Sequence, residues 1–283
     1  MTNSAKTLVI LFSSLIMSCV PLKNSPFSEE TETNVQNLNQ IQFEKLNATP
    51  LFAAPAQDIV FAAISDTHQN YDDLKKWVQI ANKQKVDFVI HTGDFTNQGL
   101  NFEYDLYLNL MAPLNKPYFT VIGNHDTVTK GKLLYRRLIG PYNSSFVLSG
   151  HKFILFNNNR LDFFTEGVDW DWLAREVRSS PYPVVLFNHI DPDNNGYFTQ
   201  AERDRYWGIV EDSQVRLIMN GHEHVFKTEV RNGVLRHQIA RIEGLNWARV
   251  TLKENDVSIE NCQAEECRHE IHQAYDSGLD SVE

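Results

Sequence analysis

Five short motifs in this chain carry side chains that bind metal ions or move protons. They are Asp66-Thr67-His68, Gly93-Asp94, Gly123-Asn124-His125-Asp126, the single His189, and Gly221-His222-Glu223-His224. Three carboxylate or amide residues and four histidines give the candidate ligands Asp66, His68, Asp94, Asn124, His189, His222 and His224. About seven donors of these types suit two divalent ions that share a carboxylate, and Mn, Fe or Zn would accept them. The spacing therefore predicts a two-metal site for hydrolysis.

Each motif follows an apolar run that is typical of a buried strand. The runs are Ile59–Ile64, Phe88–Ile90, Tyr118–Ile122, Val184–Phe187 and Val215–Met219. Apolar residues at helical spacing lie between them, first at Leu74, Trp77, Val78 and Ala81, and later at Trp170, Leu173 and Val177. Alternating strands and helices predict an α/β sheet, in which groups at the carboxyl ends of the strands converge on one crevice.

The ordered set of motifs resembles the calcineurin-like metallophosphoesterase superfamily over roughly Asp58 to Glu260. The resemblance implies a four-layer α/β/β/α sandwich of two mixed β-sheets flanked by helices. It implies that Asp66, His68, Asp94 and His224 hold a first metal, and that Asp94, Asn124, His189 and His222 hold a second. His125 matches the family's catalytic histidine, which is not a ligand, and Asp126 would orient it.

The chemistry that the resemblance implies is hydrolysis of a phosphodiester by a hydroxide that bridges two divalent metals. His125 would protonate the departing oxygen as general acid, because imidazole titrates near working pH. With two carboxylates and a hydroxide, the site would keep about one net positive charge and attract a phosphate. Two alternatives stay open. One is a phosphomonoesterase, and the other is a non-catalytic envelope lipoprotein that uses the fold as a binding module.

The second motif separates branches of the family. Asp94-Phe95-Thr96-Asn97-Gln98-Gly99 lacks the Asp-Arg-Gly pattern of protein Ser/Thr phosphatases and is similar to small bacterial phosphodiesterases. That branch often has His-His-x-Pro in the fourth motif, where this chain has Asn188-His189-Ile190-Asp191-Pro192, so a cyclic-nucleotide substrate stays open. The substrate would be a small phosphate ester, such as a nucleotide or a lipid headgroup. Tyr104, Phe163, Phe164 and Trp170 could contact it or pack in the core.

The N-terminus predicts export. Lys6 precedes the apolar stretch Leu8 to Met17, which is typical of a signal peptide over residues 1–18. Leu15-Ile16-Met17-Ser18-Cys19 resembles a bacterial lipobox, so Cys19 would be lipidated. The protein would then be anchored to a membrane of the bacterial cell envelope and face the periplasm or the exterior. An ordinary secretory signal is the alternative. The polar residues up to 57 predict a flexible tether over 19–57.

The remaining chain divides into a metallophosphoesterase domain over 58–260 and an acidic tail over 261–283. Its 283 residues, 42% of them hydrophobic, suffice for one large core. The net charge of −10 argues against nucleic-acid binding. Val250–Leu252 and Val257–Ile259 predict antiparallel strands that complete the second sheet. Cys262 and Cys267 would form a disulfide in an oxidising compartment or stay free thiols.

A second metal-binding pattern follows His189. Asp191 to Glu202 fits the calcium loop of EF-hands, with Gly196 at the turn and ligands from Asp191, Asp193, Asn195, Tyr197, Thr199 and Glu202. No helix is expected to enter this loop, because a strand precedes it. The alternative is a polar turn in which Thr199 caps a helix from about Gln200 to Glu211.

Overall fold

Two mixed β-sheets form the centre of the protein in the computed structural model, which describes residues 25–49, 58–211 and 213–274. The strands are β1 (Ile59–Ile64), β2 (Phe88–His91), β3 (Tyr118–Thr120), β4 (Ser144–Leu148), β5 (His151–Leu155), β6 (Val184–Phe187), β7 (Val215–Asn220), β8 (Lys227–Arg231), β9 (Val234–Gln238), β10 (Asn246–Leu252), β11 (Asp256–Gln263) and β12 (Glu266–Ala274). The first sheet has the order β12-β11-β10-β1-β2-β3 and the second the order β4-β5-β6-β7-β9-β8.

Helices cover the outer face of each sheet. They are α1 (Leu38–Asn47), α2 (Tyr71–Ala81), α3 (Asn101–Met111), α4 (Gly131–Leu138), α5 (Trp170–Arg178) and α6 (Gln200–Val210). The predicted stripes lie on α2 and α5, where Leu74, Trp77, Leu173 and Val177 are buried. A short 3-10 turn, His125–Thr127, follows β3.

Alternating side chains on the strands build the layers. On β1, Phe61 and Ala63 enter the core between the sheets, whereas Ala62 and Ile64 pack with the helices α2 and α3. On β6, Val185 and Phe187 face the same central core, whereas Val184 and Leu186 pack with α5 and α6. Successive residues of a strand point to opposite faces, so each strand serves two layers. The predicted four-layer sandwich is confirmed.

The parallel strands place the motifs at one edge of the molecule. β1, β2 and β3 run parallel in the first sheet, and β5, β6, β7 and β9 run parallel in the second. The predicted apolar runs form β1, β2, β3, β6 and β7, and each motif follows the carboxyl end of its strand. The remaining strands, β10, β11 and β12 in the first sheet and β4 and β8 in the second, pair antiparallel with their neighbours.

Part of the predicted tether is packed against the domain, which corrects the prediction for residues 25–49. Within α1, Leu38 and Leu46 are buried, and the Asn39 amide exchanges two hydrogen bonds of 3.0 Å with the backbone of Thr120. Ahead of α1, the Asp105 carboxylate accepts hydrogen bonds from the backbone N–H groups of Glu32 and Thr33 at 2.8 and 2.9 Å. These bonds offset the cost of ordering a polar segment that has few apolar residues to bury.

The predicted acidic tail is also wrong over its described part. β11 extends beyond residue 260, and β12 pairs with it antiparallel as the edge of the first sheet. Cys262 and Cys267 face each other in this pairing and form a disulfide. The predicted antiparallel strands near residues 250 and 257 are β10 and β11. They belong to the first sheet, where β10 pairs with β1, and not to the second sheet as predicted.

The predicted signal peptide and Cys19 lie outside the described residues, so export and lipidation stay predictions. None of the helices in the described ranges is long and apolar enough to cross a membrane.

Candidate metal centre

The seven predicted ligands lie close together at the edge of the molecule where the parallel strands of both sheets end. Asp66, Asp94 and Asn124 come from loops after β1, β2 and β3, and the histidines 189, 222 and 224 come from loops after β6 and β7. His68 lies two residues beyond Asp66 in the loop after β1. Side-chain donors from both sheets therefore meet at the carboxyl ends of parallel strands, where open α/β sheets bind ligands.

The backbone at these ligands is strained. Asp66, His68, Asp94, His222 and His224 all have φ in the left-handed region, with values of 51°, 41°, 58°, 75° and 61°. This conformation costs a residue other than glycine on the order of 1 kcal/mol or more, and it persists only where the surroundings impose it. Its presence at most of the predicted ligands indicates a functional site, since strained residues concentrate there.

Three residues form what we call the first donor cluster: Asp66, His68 and His224. The Asp66 Oδ1 atom lies 3.4 Å from His224 Nε2 and 3.9 Å from His68 Nε2, and the two Nε2 atoms are 3.4 Å apart. These atoms lie close enough together to contact one ion. The Asp66 carboxylate also accepts a hydrogen bond of 3.0 Å from the His222 backbone N–H, which fixes its orientation.

The second donor cluster consists of Asn124, His189 and His222. The Asn124 Oδ1 atom lies 3.1 Å from His189 Nε2 and 3.0 Å from His222 Nδ1. The His189 Nδ1–H group donates to the Thr92 carbonyl oxygen at 2.9 Å. Because a carbonyl only accepts, this bond places a proton on Nδ1, so Nε2 is the nitrogen that would bind a metal ion once it has lost its own proton.

Asp94 lies between the two clusters and contacts both with one oxygen. Its Oδ2 atom is 3.7 Å from His68 Nε2 and 3.1 Å from His189 Nε2. Its Oδ1 atom accepts a hydrogen bond of 2.8 Å from the His125 backbone N–H. One oxygen is therefore held by the protein, while the other is placed to be shared by two cations.

The charges of the centre suit divalent cations. Asp66 and Asp94 are fully buried. Burial acts to raise the pKa of the Asp66 carboxyl, but His224, His189 and a hydrogen bond from Ser65 hold it below its usual range. Burial likewise acts to lower the pKa of His189, but the Asp94 carboxylate raises it to about 9. Among the described residues, the ion-pair partners of these two carboxylates are histidines, which also bind metals in the neutral form. This donor set fits two divalent ions.

Two motif glycines permit this close approach. A Cβ atom on Gly123 would lie 2.2 Å from the backbone nitrogen and Oδ1 of Asp94. A Cβ atom on Gly221 would lie 1.9 Å from Ser65 Oγ and 2.5 Å from Asp66 Oδ2. Any larger residue would displace a candidate ligand, so the glycines belong to the site although they carry no donor.

His125 is oriented by a backbone carbonyl. Its Nδ1–H group donates to the Asn97 oxygen at 2.8 Å, and its ring lies edge-on to the His68 ring at 4.7 Å between centroids. One ring nitrogen of His125 lies within 4.8 Å of donor atoms of His68 and Asp94. Since Nδ1 is engaged, Nε2 is the nitrogen that can exchange a proton with a substrate. Sequence reasoning missed Asn97 because a backbone carbonyl leaves no side-chain signal.

Asp126 does not orient the His125 ring, which corrects that prediction. Its Oδ2 atom accepts hydrogen bonds from the N–H groups of Asp94 and Gly123 at 2.8 and 2.9 Å. Its Oδ1 atom accepts from the N–H and hydroxyl of Thr96 at 2.8 and 2.9 Å. Burial and the nearby Asp94 carboxylate raise the pKa of the Asp126 carboxyl, and the hydrogen bonds from Gly123 and Thr96 act in the opposite direction. Asp126, which belongs to the third motif, therefore holds the backbone of the second motif beside it through hydrogen bonds.

The structure contradicts the predicted calcium loop, because its two aspartates pair with arginines. Arg236 donates to both Asp191 and Asp193, at 2.6 Å in the second case. Asp193 also accepts from Arg231 at 3.2 Å and from the Trp207 indole at 2.7 Å. The two arginines thus neutralise the negative charge of these carboxylates, which a calcium ion would do in an EF-hand.

The rest of the loop forms the capped turn that was the alternative. The Glu202 carboxylate accepts from the Thr199 N–H at 2.9 Å and from Arg160 at 2.6 Å, and Thr199 caps α6. The Tyr197 hydroxyl donates to Asp162, and its ring lies edge-on to His222 at 5.8 Å. Asn195 is exposed. The ring of Tyr197 therefore contacts the candidate metal ligand His222.

Of the four aromatic residues considered as substrate contacts, three are core residues. Tyr104, Phe163 and Trp170 are buried, and the Tyr104 hydroxyl donates to the carbonyl oxygens of Asp126 and Gly131. Phe164 is 88% exposed and remains available to a ligand.

Known proteins share the motifs and the fold. The family profile described as Calcineurin-like phosphoesterase matches residues 59–226. A probable glycerophosphodiester phosphodiesterase of Arcobacter nitrofigilis is 46% identical over 184 residues, which cover 56% of this chain and 66% of that protein. A probable cyclic nucleotide phosphodiesterase of Xenorhabdus bovienii is 22% identical over 179 residues, which cover 56% of this chain and 70% of that protein.

The crystal structure of a dimetal phosphatase from Danio rerio covers 78% of this chain and 100% of its own, with a TM-score of 0.62 and 14% identity. This likeness concerns the fold. The family profile spans more than half of the chain, and it includes every motif of the metal centre. The chain therefore belongs to the calcineurin-like phosphoesterase family, whose members are hydrolases that act on phosphate esters.

Proposed function

We propose that this protein hydrolyses phosphodiesters at the metal centre. The observation that carries the proposal is the position of Asp94, whose Oδ2 atom contacts both donor clusters while Oδ1 is held by the His125 backbone. Two divalent ions bound there would activate a water molecule and stabilise the charge that develops on the phosphoryl oxygens. The donor types favour Mn, Fe or Zn.

His125 supplies the proton transfer in this proposal. Its Nδ1–H bond to Asn97 fixes the ring, and its Nε2 atom gives a proton to the alcohol oxygen as the phosphorus–oxygen bond breaks. The proton neutralises the alkoxide, and the imidazole regains it from water after the alcohol leaves. A fixed ring avoids the entropy loss of orienting the acid at each turnover.

We further propose that the substrate is a small glycerophosphodiester. The relative named for that activity is 46% identical to this chain, against 22% for the relative named for cyclic nucleotides. Asn188 precedes His189, and its side chain is buried. Its amide donates to the Ile190 oxygen at 2.6 Å and accepts from the Tyr206 hydroxyl at 3.1 Å. The NH₂ group and the oxygen of the Asn188 side chain are both hydrogen-bonded within the protein, so this side chain is not available to bind a substrate.

A substrate panel tests the proposal. With Mn²⁺ bound, the protein should hydrolyse bis(4-nitrophenyl) phosphate with a kcat/KM at least about tenfold above that for 4-nitrophenyl phosphate. The two esters release the same 4-nitrophenolate, so the ratio of their kcat/KM values measures the preference of the site for a diester over a monoester. Glycerophosphodiesters should be better substrates than cyclic AMP. Faster hydrolysis of the monoester would support the phosphomonoesterase alternative. Fully metallated protein that cleaves none of these esters would support a binding module.

We also propose that Cys19 is lipidated and anchors the protein to a membrane, on the basis of the lipobox-like sequence around it. Changing Cys19 to Ser should move the protein out of the membrane fraction, because acyl chains would be its attachment. Mass spectrometry of the mature N-terminus measures the modification directly. An unmodified N-terminus downstream of Cys19 in the wild-type protein would refute lipidation.

A further inference from the structure

Glu103 is a buried carboxylate in the first turn of α3, only 2% exposed, that contacts the loop between the second motif and the helix. Its Oε1 atom accepts a hydrogen bond from the Asn97 N–H at 3.2 Å. Its Oε2 atom accepts from the N–H groups of Gln98 and Leu100, both at 3.0 Å. One side chain therefore holds three backbone donors of a loop that borders the metal centre.

Capping of α3 accounts for only one of these bonds. A glutamate at the third position of a helix commonly accepts from the backbone N–H of the residue just before the helix, which here is Leu100. The bonds to Asn97 and Gln98 reach further back into the loop. A carboxylate needed only for the helix would not have to reach them.

The hydrogen bond from the Gln98 N–H connects Glu103 to His125 through a single peptide group. The Gln98 N–H and the Asn97 carbonyl belong to the same peptide group, which is planar and rigid. Glu103 accepts from the N–H end of this group at 3.0 Å, and the carbonyl end accepts the Nδ1–H of His125 at 2.8 Å. Any rotation of the peptide plane would break one bond or both. An acceptor at the N–H end also polarises the carbonyl and strengthens its bond to the imidazole.

We propose that Glu103 is the positioning residue of His125: through the Asn97–Gln98 peptide it fixes the ring that donates the proton to the departing alcohol. This inference rests on the proposed function in that it takes His125 to be the proton donor. Glu103 itself acts at the other side of the peptide and does not contact the substrate.

The substitution Glu103→Gln tests the proposal with little change in volume. The amide has one oxygen and one NH₂ group, so at least one of the three loop donors loses its acceptor. We expect kcat for a diester with a poorly leaving alkyl alcohol to fall roughly 10- to 100-fold, as expected for a displaced catalytic group. For bis(4-nitrophenyl) phosphate, whose leaving group needs no proton, kcat should change little. KM and metal content should stay at wild-type values.

Asp105→Asn is the matched control. Asp105 lies two residues along the same helix, is also buried, and also accepts from two backbone N–H groups, but these belong to Glu32 and Thr33 and not to the loop of His125. This variant should keep the wild-type dependence of kcat on the leaving group. An equal loss for both leaving groups in Glu103→Gln would indicate a merely structural residue and would overturn the proposal.

A double substitution separates positioning from general destabilisation. In a His125→Ala background, Glu103→Gln should cause no further loss of kcat, because the group that it positions is gone. Full additivity of the two losses would contradict the proposal. Thermal melting of each variant shows whether the protein is folded, and Glu103→Asp provides a second variant if Glu103→Gln does not fold.

Hydrogen exchange gives a readout that does not depend on activity. In the wild-type protein the amides of Asn97, Gln98 and Leu100 should be protected, and Glu103→Gln should accelerate their exchange while Asp105→Asn leaves it unchanged. Unaltered exchange in Glu103→Gln would overturn the proposal even if the wild type hydrolysed no diester. An inactive wild type with accelerated exchange in the variant would instead refute only the proposed function.

Discussion

Replacing Asp94 by Asn is expected to abolish phosphodiester hydrolysis and to lower the metal content of both halves of the site. The Asn Oδ1 atom can still accept the His125 backbone N–H, as Asp94 Oδ1 does at 2.8 Å. The NH₂ group then lies where Oδ2 contacts His68 and His189. An amide NH₂ group presents hydrogens and no free lone pair to a cation, so the bridging ligand and its negative charge are both lost. Elemental analysis of the purified variant, together with a turnover assay, measures both effects.

Asp87→Asn is the control for this experiment. Asp87 lies at the opposite end of the same strand, β2, where its carboxylate accepts the Val60 N–H at 2.8 Å. It therefore tests removal of a structural carboxylate from the same part of the sheet, and metal content and turnover should stay near wild type. An Asp94→Asn protein that keeps two ions and normal turnover would refute the two-metal site.

The positions of the ligands could be predicted because the sequence shows both the strands and their ends. The run Ile59–Ile64 forms β1 and Val184–Phe187 forms β6, since continuous apolar residues suit strands that are buried on both faces. Polar residues that follow such runs lie at the carboxyl edge of the sheet, and Asp66 and His189 are two of them. What the sequence does not show is the left-handed backbone at Asp66 and Asp94, because that conformation is imposed by the assembled site.

The predicted calcium loop failed because the competing cations come from elsewhere in the chain. The pattern supplies oxygen donors at the required spacing, but Arg236 lies on β9 and reaches Asp191 and Asp193 across the second sheet. Trp207 of α6 packs against Arg236 and Arg231, whose guanidinium carbons lie 5.2 and 4.0 Å from its ring centroid. A local motif contains no information on partners more than forty residues away.

The prediction of a flexible tether is wrong over residues 25–49 because the partners of this segment, too, come from elsewhere in the chain. Residues 25–49 are mostly polar, and such composition is typical of a tether. Its order comes from side chains of the domain, such as Asp105 and Asn101, that bind its backbone. The same limit applies to Asp126, whose carboxylate binds backbone N–H groups, and to Asn97, whose backbone carbonyl binds the His125 ring. Ligand types could thus be predicted from sequence, whereas the bonds that orient them could not.

Changing His125 to Ala is expected to lower kcat for alkyl diesters roughly 10²- to 10⁴-fold, the usual contribution of a general acid. Metal content should stay near wild type, because the ring is held by Asn97 and the donor clusters are complete without it. The backbone N–H that binds Asp94 Oδ1 is retained in the alanine variant. Turnover with alkyl and 4-nitrophenyl diesters, measured beside the metal content, separates loss of an acid from loss of a ligand.

Comparing the loss of kcat for two leaving groups shows whether His125 acts as the proton donor. An alkyl alkoxide needs a proton as it departs, whereas 4-nitrophenolate departs without one, so the deficit should be much smaller for the nitrophenyl ester. Added imidazole should restore part of the lost activity toward the alkyl diester, since the cavity left by the ring admits it. Metal loss equal to that of Asp94→Asn would make His125 a ligand. A deficit of the same size for both leaving groups would exclude it as the proton donor.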